Sequence, residues 1–157
     1  MEAFADAFRQ AEDKLKVADY GLGKVFSMTK DPSVIRSAII NLHDAQVRSL
    51  DALLLFERTY KRVPAYPVGH LETKLRLFSE HCVKRYGLSE DMVAAIREGQ
   101  EWASVAKVHP PQVSPDNRVI FRLEGFQVMT LSLASIKEKL AKTSIFAQKI
   151  KEVLTHA

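Results

Sequence analysis

Two side chains on one predicted helix, an arginine and a histidine, are of types that can take part in acid–base catalysis. Arg36 and His43 are separated by six residues. Seven positions along an α-helix amount to nearly two turns, so both side chains emerge on the same face. An imidazole with a pKa near neutrality can transfer protons, and a guanidinium can stabilise negative charge that develops in a reaction. Arg36 and His43 are therefore the candidate catalytic pair of this chain.

The rest of the sequence contains none of the common catalytic or metal-binding motifs. It has no glycine-rich phosphate loop, no His-Glu-x-x-His zinc motif and no pair of Glu-x-x-His motifs of the di-iron type. The five histidines fall on different predicted elements without ligand spacing, and the single cysteine, Cys82, occupies an apolar helix position. We therefore predict neither a metal site nor a cofactor.

An apolar repeat with helical period runs through most of the chain and predicts a mainly α protein, an antiparallel bundle of four to five helices. The first seam runs from Phe4 to Val25 in steps of four and three, with a kink or an early end at Gly21 and Gly23. Asp31 followed by Pro32 predicts the start of a second helix, which continues to about Tyr60. Later helices are predicted to end at Gly87, begin after Ser89 and begin again at Ser132.

The helical period fails once, between His109 and Leu131. Three prolines, at positions 110, 111 and 115, exclude a helix interior, and alternating apolar residues follow them. Because Glu124-Gly125 separates two alternating runs, we predict a β-hairpin over about 118–131, just before the last helix. A continued helix is the alternative interpretation.

Length and composition predict a single domain over residues 1–157. The chain is 46% hydrophobic and 27% charged, which is typical of a globular protein. It lacks the run of about 18 apolar residues that a membrane span needs, and its acidic N-terminus does not read as a secretory signal. With one cysteine, no internal disulfide can form. We therefore predict a soluble cytoplasmic protein without a membrane partner.

Positive charge is concentrated in short clusters, although the net charge is only +4. Such clusters are typical either of solvated helix faces or of a surface that binds RNA or DNA. Glu57 precedes Lys61 by four residues, which we interpret as an exposed ion pair on the second helix. The candidate nucleic-acid-binding residues are Arg58, Lys61, Arg62, Lys84, Arg85, Arg118 and Arg122.

The spacing of Arg36 and His43 within a helical protein resembles that of the HEPN superfamily. Its ribonuclease members carry an arginine, four to six intervening residues and a histidine at a dimer cleft. The resemblance implies that Arg36 and His43 act on an RNA phosphodiester without a metal, with the 2′-hydroxyl as nucleophile. Incidental placement of the two residues on one helix is the alternative interpretation.

A second resemblance covers most of the chain. The segments Lys14 to Tyr20, Lys30 to Pro32, Phe56 to Pro64, Val83 to Asp91 and Arg118 to Phe121 are similar in order to those of small archaeal helical-bundle proteins of unassigned function. The resemblance implies an archaeal origin and an independent cytoplasmic domain, and it transfers no site.

Three functional hypotheses follow from these features. The first is a non-enzymatic interaction protein, homodimeric through its helix seams or an exposed hairpin edge. The second is RNA or DNA binding through the basic helix faces. The third is a HEPN-like ribonuclease that uses Arg36 and His43.

Overall fold

The computed structural model describes residues 2–67 and 69–156, which form five helices and one small sheet and confirm the predicted mainly α fold. Helix α1 comprises Ala3–Tyr20, a π-helical turn Gly21–Val25 and Phe26–Thr29, and α2 is Pro32–Thr59. Helix α3 comprises Leu71–Leu77, a second π turn Phe78–Cys82 and Val83–Tyr86; α4 is Asp91–Val108 and α5 is Leu133–Thr155. The strands are β1 Pro111–Val113, β2 Arg118–Arg122 and β3 Val128–Ser132.

Capping side chains mark the first turns of α2 and α5, at the positions that the sequence predicts. Asp31 Oδ1 accepts a hydrogen bond from the Ser33 amide at 3.0 Å, with Pro32 in the first helical position. Ser132 accepts from the Ser135 amide at 3.0 Å and begins α5. Gly87 ends α3 in the left-handed conformation with φ of 62°.

The two glycines in α1 mark a π turn and not the end of the helix. Beyond that turn, α1 continues to Thr29 and ends at Lys30, which has φ of 53°. A Cβ atom at Gly21 would lie 3.6 Å from Val34 Cγ1. The missing side chain therefore lets α1 approach α2 closely where the two helices meet.

Helix α2 lies at the centre of the bundle, and two hydrophobic clusters surround its two halves. The Phe4 and Phe56 rings meet edge to face with centroids 5.3 Å apart, so α1 runs antiparallel to α2. The cluster at the C-terminal half of α2 includes Leu50, Leu53, Leu54, Leu75, Phe78, Ile96 and Ile150. The cluster at the N-terminal half includes Leu22, Phe26, Ile35, Ile39, Leu42, Phe121 and Ile136.

Strands β2 and β3 form the predicted hairpin, and β1 adds an edge strand that the sequence did not predict. Val119 and Phe121 are fully buried in the cluster at the N-terminal half of α2. The prolines near residue 111 were interpreted as a loop. In the structure Pro111 is the first residue of an edge strand. Proline is tolerated there because its missing amide hydrogen does not remove a hydrogen bond between strands.

Candidate functional site

Arg36 and His43 both face α4, as two residues nearly two turns apart on α2 should. Arg36 uses its guanidinium on the backbone of α4: Nε donates to the Ala106 carbonyl at 2.5 Å and an Nη donates to the Lys107 carbonyl at 2.8 Å. The last carbonyl groups of a helix lack partners within that helix. Arg36 therefore satisfies the C-terminal turn of α4 and joins it to α2.

His43 lies inside the bundle, in a hydrogen-bonded network of polar side chains. Only 9% of its surface is exposed, and its Nδ1 atom lies 3.3 Å from Gln46 Oε1. The Gln46 amide in turn donates to the Ala95 carbonyl and to Thr143 Oγ1, each at 3.4 Å. This network connects α2 to α4 and α5. Because His43 is nearly enclosed, the ribonuclease hypothesis stays a prediction that also requires the site to open.

Burial lowers the pKa of His43 below its usual 6.5, and the nearby Lys107 and Lys139 act in the same direction, whereas the Gln46 contact and Asp44 oppose it. The unfolded chain binds the proton on His43 more readily than the folded chain does. Neutral His43 therefore contributes its full stability above pH 6.5, and this contribution is lost as the pH falls through the lowered pKa.

We expect the His43 ring proton to titrate below pH 6.5 by NMR. A midpoint at or above that value would contradict the buried geometry. The His43→Gln variant identifies the resonance.

A second group of polar residues surrounds Glu57 at the C-terminal end of α2. Glu57 is fully buried and accepts hydrogen bonds from Arg62 Nε at 3.1 Å, from Arg85 and from the Tyr86 hydroxyl. Burial, followed by the hydrogen bond to Glu57, raises the pKa of Tyr86 to about 12. The phenol therefore stays protonated and remains a donor to the carboxylate.

Cys82 lies near this carboxylate but is not a candidate nucleophile. Burial, and then the charge of Glu57, raise the pKa of the Cys82 thiol to about 12. Only the thiolate is strongly nucleophilic, and burial in apolar surroundings suppresses it. Cys82 therefore serves as a small apolar residue in the core, as its sequence position predicts.

Two of the predicted cations, Arg62 and Arg85, meet at Glu57, and other exposed cations lie beside them in the sequence. The Arg62 and Arg85 side chains are 34% and 39% exposed, so each side chain binds Glu57 and is also partly open to solvent. Arg62 stacks over the ring of Tyr60, 4.9 Å from its centroid, and Tyr60 is itself 52% exposed. We call this surface the basic end; it comprises Arg58, Tyr60, Lys61, Arg62, Lys84 and Arg85.

Arg118 and Arg122 lie on the hairpin and do not join the basic end. The sheet packs on the N-terminal half of α2, whereas Arg58 lies in its last turn. An α-helix of 28 residues is about 42 Å long, so the two groups of arginines lie near opposite ends of the bundle. Arg118 also pairs with Asp116 at 3.0 Å. Of the seven predicted nucleic-acid-binding residues, Arg62 and Arg85 meet at Glu57, and Arg58, Lys61 and Lys84 are exposed residues beside them in the sequence.

Sequence reasoning missed the residue that organises this surface. Glu57 was interpreted as an exposed partner of Lys61, but it is buried and binds Arg62, Arg85 and Tyr86 instead. The signal was its position, since Glu57 follows Leu53 by four residues and so continues the buried face of α2. Its partners on α3 could not be found by spacing because they are 28 and 29 residues away.

Other kinds of site have less support in the structure. Within residues 2–67 and 69–156, no three histidine, cysteine, aspartate or glutamate side chains converge as metal ligands would. No helix in this described part of the chain combines the length and hydropathy needed to cross a bilayer.

No family model matches this sequence. Among curated proteins, none is similar enough to be counted as a relative.

Proposed function

We propose that this protein is a non-enzymatic module that binds single-stranded nucleic acid at the basic end. The observation that carries the proposal is the arginine pair Arg62 and Arg85, which buried Glu57 holds in place while each arginine side chain stays partly exposed. An arginine that is already positioned loses less side-chain entropy when it binds a phosphate. Glu57 therefore supports a preorganised phosphate-binding surface.

The charge of the basic end favours an anionic partner. Its five cations, less the single charge of Glu57, leave four positive charges within two short segments of the chain. Guanidinium groups match the geometry of phosphate oxygens, and clustered cations attract polyanions by releasing their counterions. Arg58, Lys61 and Lys84 are exposed sequence neighbours of the arginine pair, and each can contact a phosphate.

Tyr60 favours a single strand over a duplex. Its ring is more than half exposed and is backed by Phe56, with ring centroids 5.0 Å apart. An exposed aromatic ring beside cations can stack on an unpaired base, and such stacking contributes about 1–3 kcal/mol per base. A base within a duplex is unavailable for that contact. The shared ligand chemistry is thus a phosphodiester strand with unpaired bases, either RNA or DNA.

Fluorescence anisotropy with labelled single-stranded RNA and DNA oligonucleotides tests the proposal. The triple variant Arg58→Gln, Lys61→Gln, Lys84→Gln removes exposed cations and leaves the contacts of Glu57 intact. Since each phosphate contact contributes about 0.7 to the slope of log affinity against log salt, we expect the slope to fall by about 2. Affinity at low salt should fall more than tenfold.

A charge-matched variant provides the control. Lys16→Gln, Lys24→Gln, Lys137→Gln also removes three exposed cations, but from other faces of the bundle. Equal loss of affinity in the two triple variants would show general electrostatic attraction and overturn the site. Absence of binding would also overturn it.

Tyr60→Ala should weaken single-strand binding, whereas Tyr60→Phe should retain it. Tighter binding to duplex than to single strands would overturn the stacking role. If the native protein cleaves the RNA and the His43→Ala variant does not, the non-enzymatic assignment is overturned and the ribonuclease is favoured.

A further inference from the structure

The hairpin ends in an exposed apolar turn. Glu124–Phe126 form a single 3₁₀ turn in which Gly125 and Phe126 have φ of 67° and 63°. The left-handed conformation is unfavourable for phenylalanine, and the Phe126 side chain is fully exposed. Val128, two residues later, is 56% exposed. The tip of the hairpin therefore presents apolar surface that this chain does not cover.

Strand β3 is an edge of the sheet, and its backbone polarity can be assigned. The strand order is β1-β2-β3. The Leu123 amide donates to the Gln127 carbonyl at 2.8 Å, and the Leu133 amide donates to the Asn117 carbonyl at 2.9 Å. Backbone groups alternate in direction along an antiparallel strand. Residues 129 and 131 therefore bond to β2, whereas Val128 and Thr130 direct their amide and carbonyl groups away from the sheet.

This edge lacks the features that keep edge strands from pairing. The five residues of β3 include no charged side chain and no proline. Natural edges are commonly protected by charges, proline, bulges or short length. The opposite edge shows such protection, since β1 has three residues and begins with proline. Only the β3 edge is both long enough and uncharged enough to accept another strand.

We propose that two copies of this protein pair along β3 in antiparallel orientation, with Thr130 at the twofold axis. The outward backbone groups of Thr130 then meet those of Thr130 in the second copy, and those of Val128 meet those of Ser132. Val128 falls opposite Ser132 of the second copy, and Met129 falls opposite Leu131, so no like charges meet along the edge. The two three-stranded sheets become one sheet of six strands, and the exposed hairpin tips lie beside the new pairing.

A second copy is the occupant because the edge is complementary to itself. An isologous contact uses the same residues on both copies, and an antiparallel pairing centred on one residue satisfies that condition. The sheet lies on the N-terminal half of α2, remote from the basic end. Dimerisation through β3 therefore leaves both basic ends free, and it is independent of nucleic-acid binding.

Light scattering coupled to gel filtration, run over a wide range of protein concentrations, tests the dimer. The chain mass is 17.7 kDa, and we expect twice that mass for the native protein. Thr130→Lys places two positive charges together at the axis and should yield the monomer. Gln112→Lys is the matched control, because Gln112 and Thr130 flank Ile120 on the same face of the sheet but lie on opposite edge strands. This control should remain dimeric.

Val128→Pro provides a second variant with a different mechanism, since it removes an outward amide hydrogen and leaves the bonds to β2 intact. A monomeric native protein at all concentrations would overturn the proposal. A dimer that survives both Thr130→Lys and Val128→Pro would also overturn it. Equal disruption by Gln112→Lys would overturn it too, because it would indicate that the two copies meet through the face of the sheet. Circular dichroism confirms folding of each variant. Oligonucleotide affinity per protomer should be unchanged in Thr130→Lys, which separates failure of the dimer from failure of the nucleic-acid site.

Discussion

Glu57→Gln is expected to lower the free energy of unfolding by about 3 kcal/mol, because it leaves two arginines around a buried neutral amide. The carboxylate is fully buried and accepts from Arg62, Arg85 and Tyr86. The amide has one acceptor oxygen and an NH₂ group that cannot accept, so the donors of Arg62, Arg85 and Tyr86 lose hydrogen bonds inside a buried site. Chemical denaturation followed by circular dichroism measures the change.

Glu72→Gln is the matched control for this change. Glu72 also binds an arginine closely, with Arg97 Nη 2.7 Å from Oε1, but its side chain is 66% exposed. Water and salt screen an exposed ion pair, so Glu72→Gln should have little effect. Equal loss of unfolding free energy in the two variants would show that burial of Glu57 is not the reason its contacts stabilise the fold.

Gly99→Ala is expected to destabilise the protein by about 1–3 kcal/mol through overpacking at the contact of α2 with α4. A methyl group at Gly99 would overlap Gln46 Oε1 and would lie 3.1 Å from Gln46 Cδ and 3.2 Å from His43 Nδ1. Gln46 is fully buried and cannot move aside without breaking its bonds to Ala95 and Thr143. Thermal denaturation should therefore show a lower melting temperature.

A second glycine and a double variant make this prediction specific. A methyl group at Gly23 would meet no atom within 4 Å, so Gly23→Ala should be neutral or stabilising by up to about 1 kcal/mol. The double variant Gln46→Ala, Gly99→Ala should be less destabilised than the two single changes added together, because Gln46→Ala removes the atoms that clash. Strict additivity would indicate that overlap with the Gln46 side chain is not the cause of the destabilisation by Gly99→Ala.

Elements were predictable wherever local chemistry decides them. Asp31 and Pro32 begin α2 because both act within one turn of helix, and Glu124-Gly125 turns the hairpin because its geometry involves only adjacent residues. Strand β1 was missed because its three residues are too few to show an alternating pattern and its prolines resemble a loop. A proline's tolerance in a strand depends on which edge it occupies, and only the assembled sheet shows that.

The candidate sites divide in the same way. The cations of the basic end were identifiable as clusters, because charged residues that are close in sequence stay close on a helix. Their organising carboxylate was not, since Glu57 is bonded across 28 residues to Arg85. Likewise, the shared face of Arg36 and His43 follows from helix geometry, but their surroundings are contributed by α4 and α5.

Local pattern therefore dictates the helices, the hairpin and the approximate positions of the charges, because each depends on interactions within a few residues. The environment of each polar side chain is a tertiary property. Folding buries Glu57 and His43, directs Arg36 to the carbonyls of α4 and separates the hairpin arginines from the basic end. The cost of desolvating a charge depends on all the elements that surround it, so the chemical role of these residues is decided only when the helices pack.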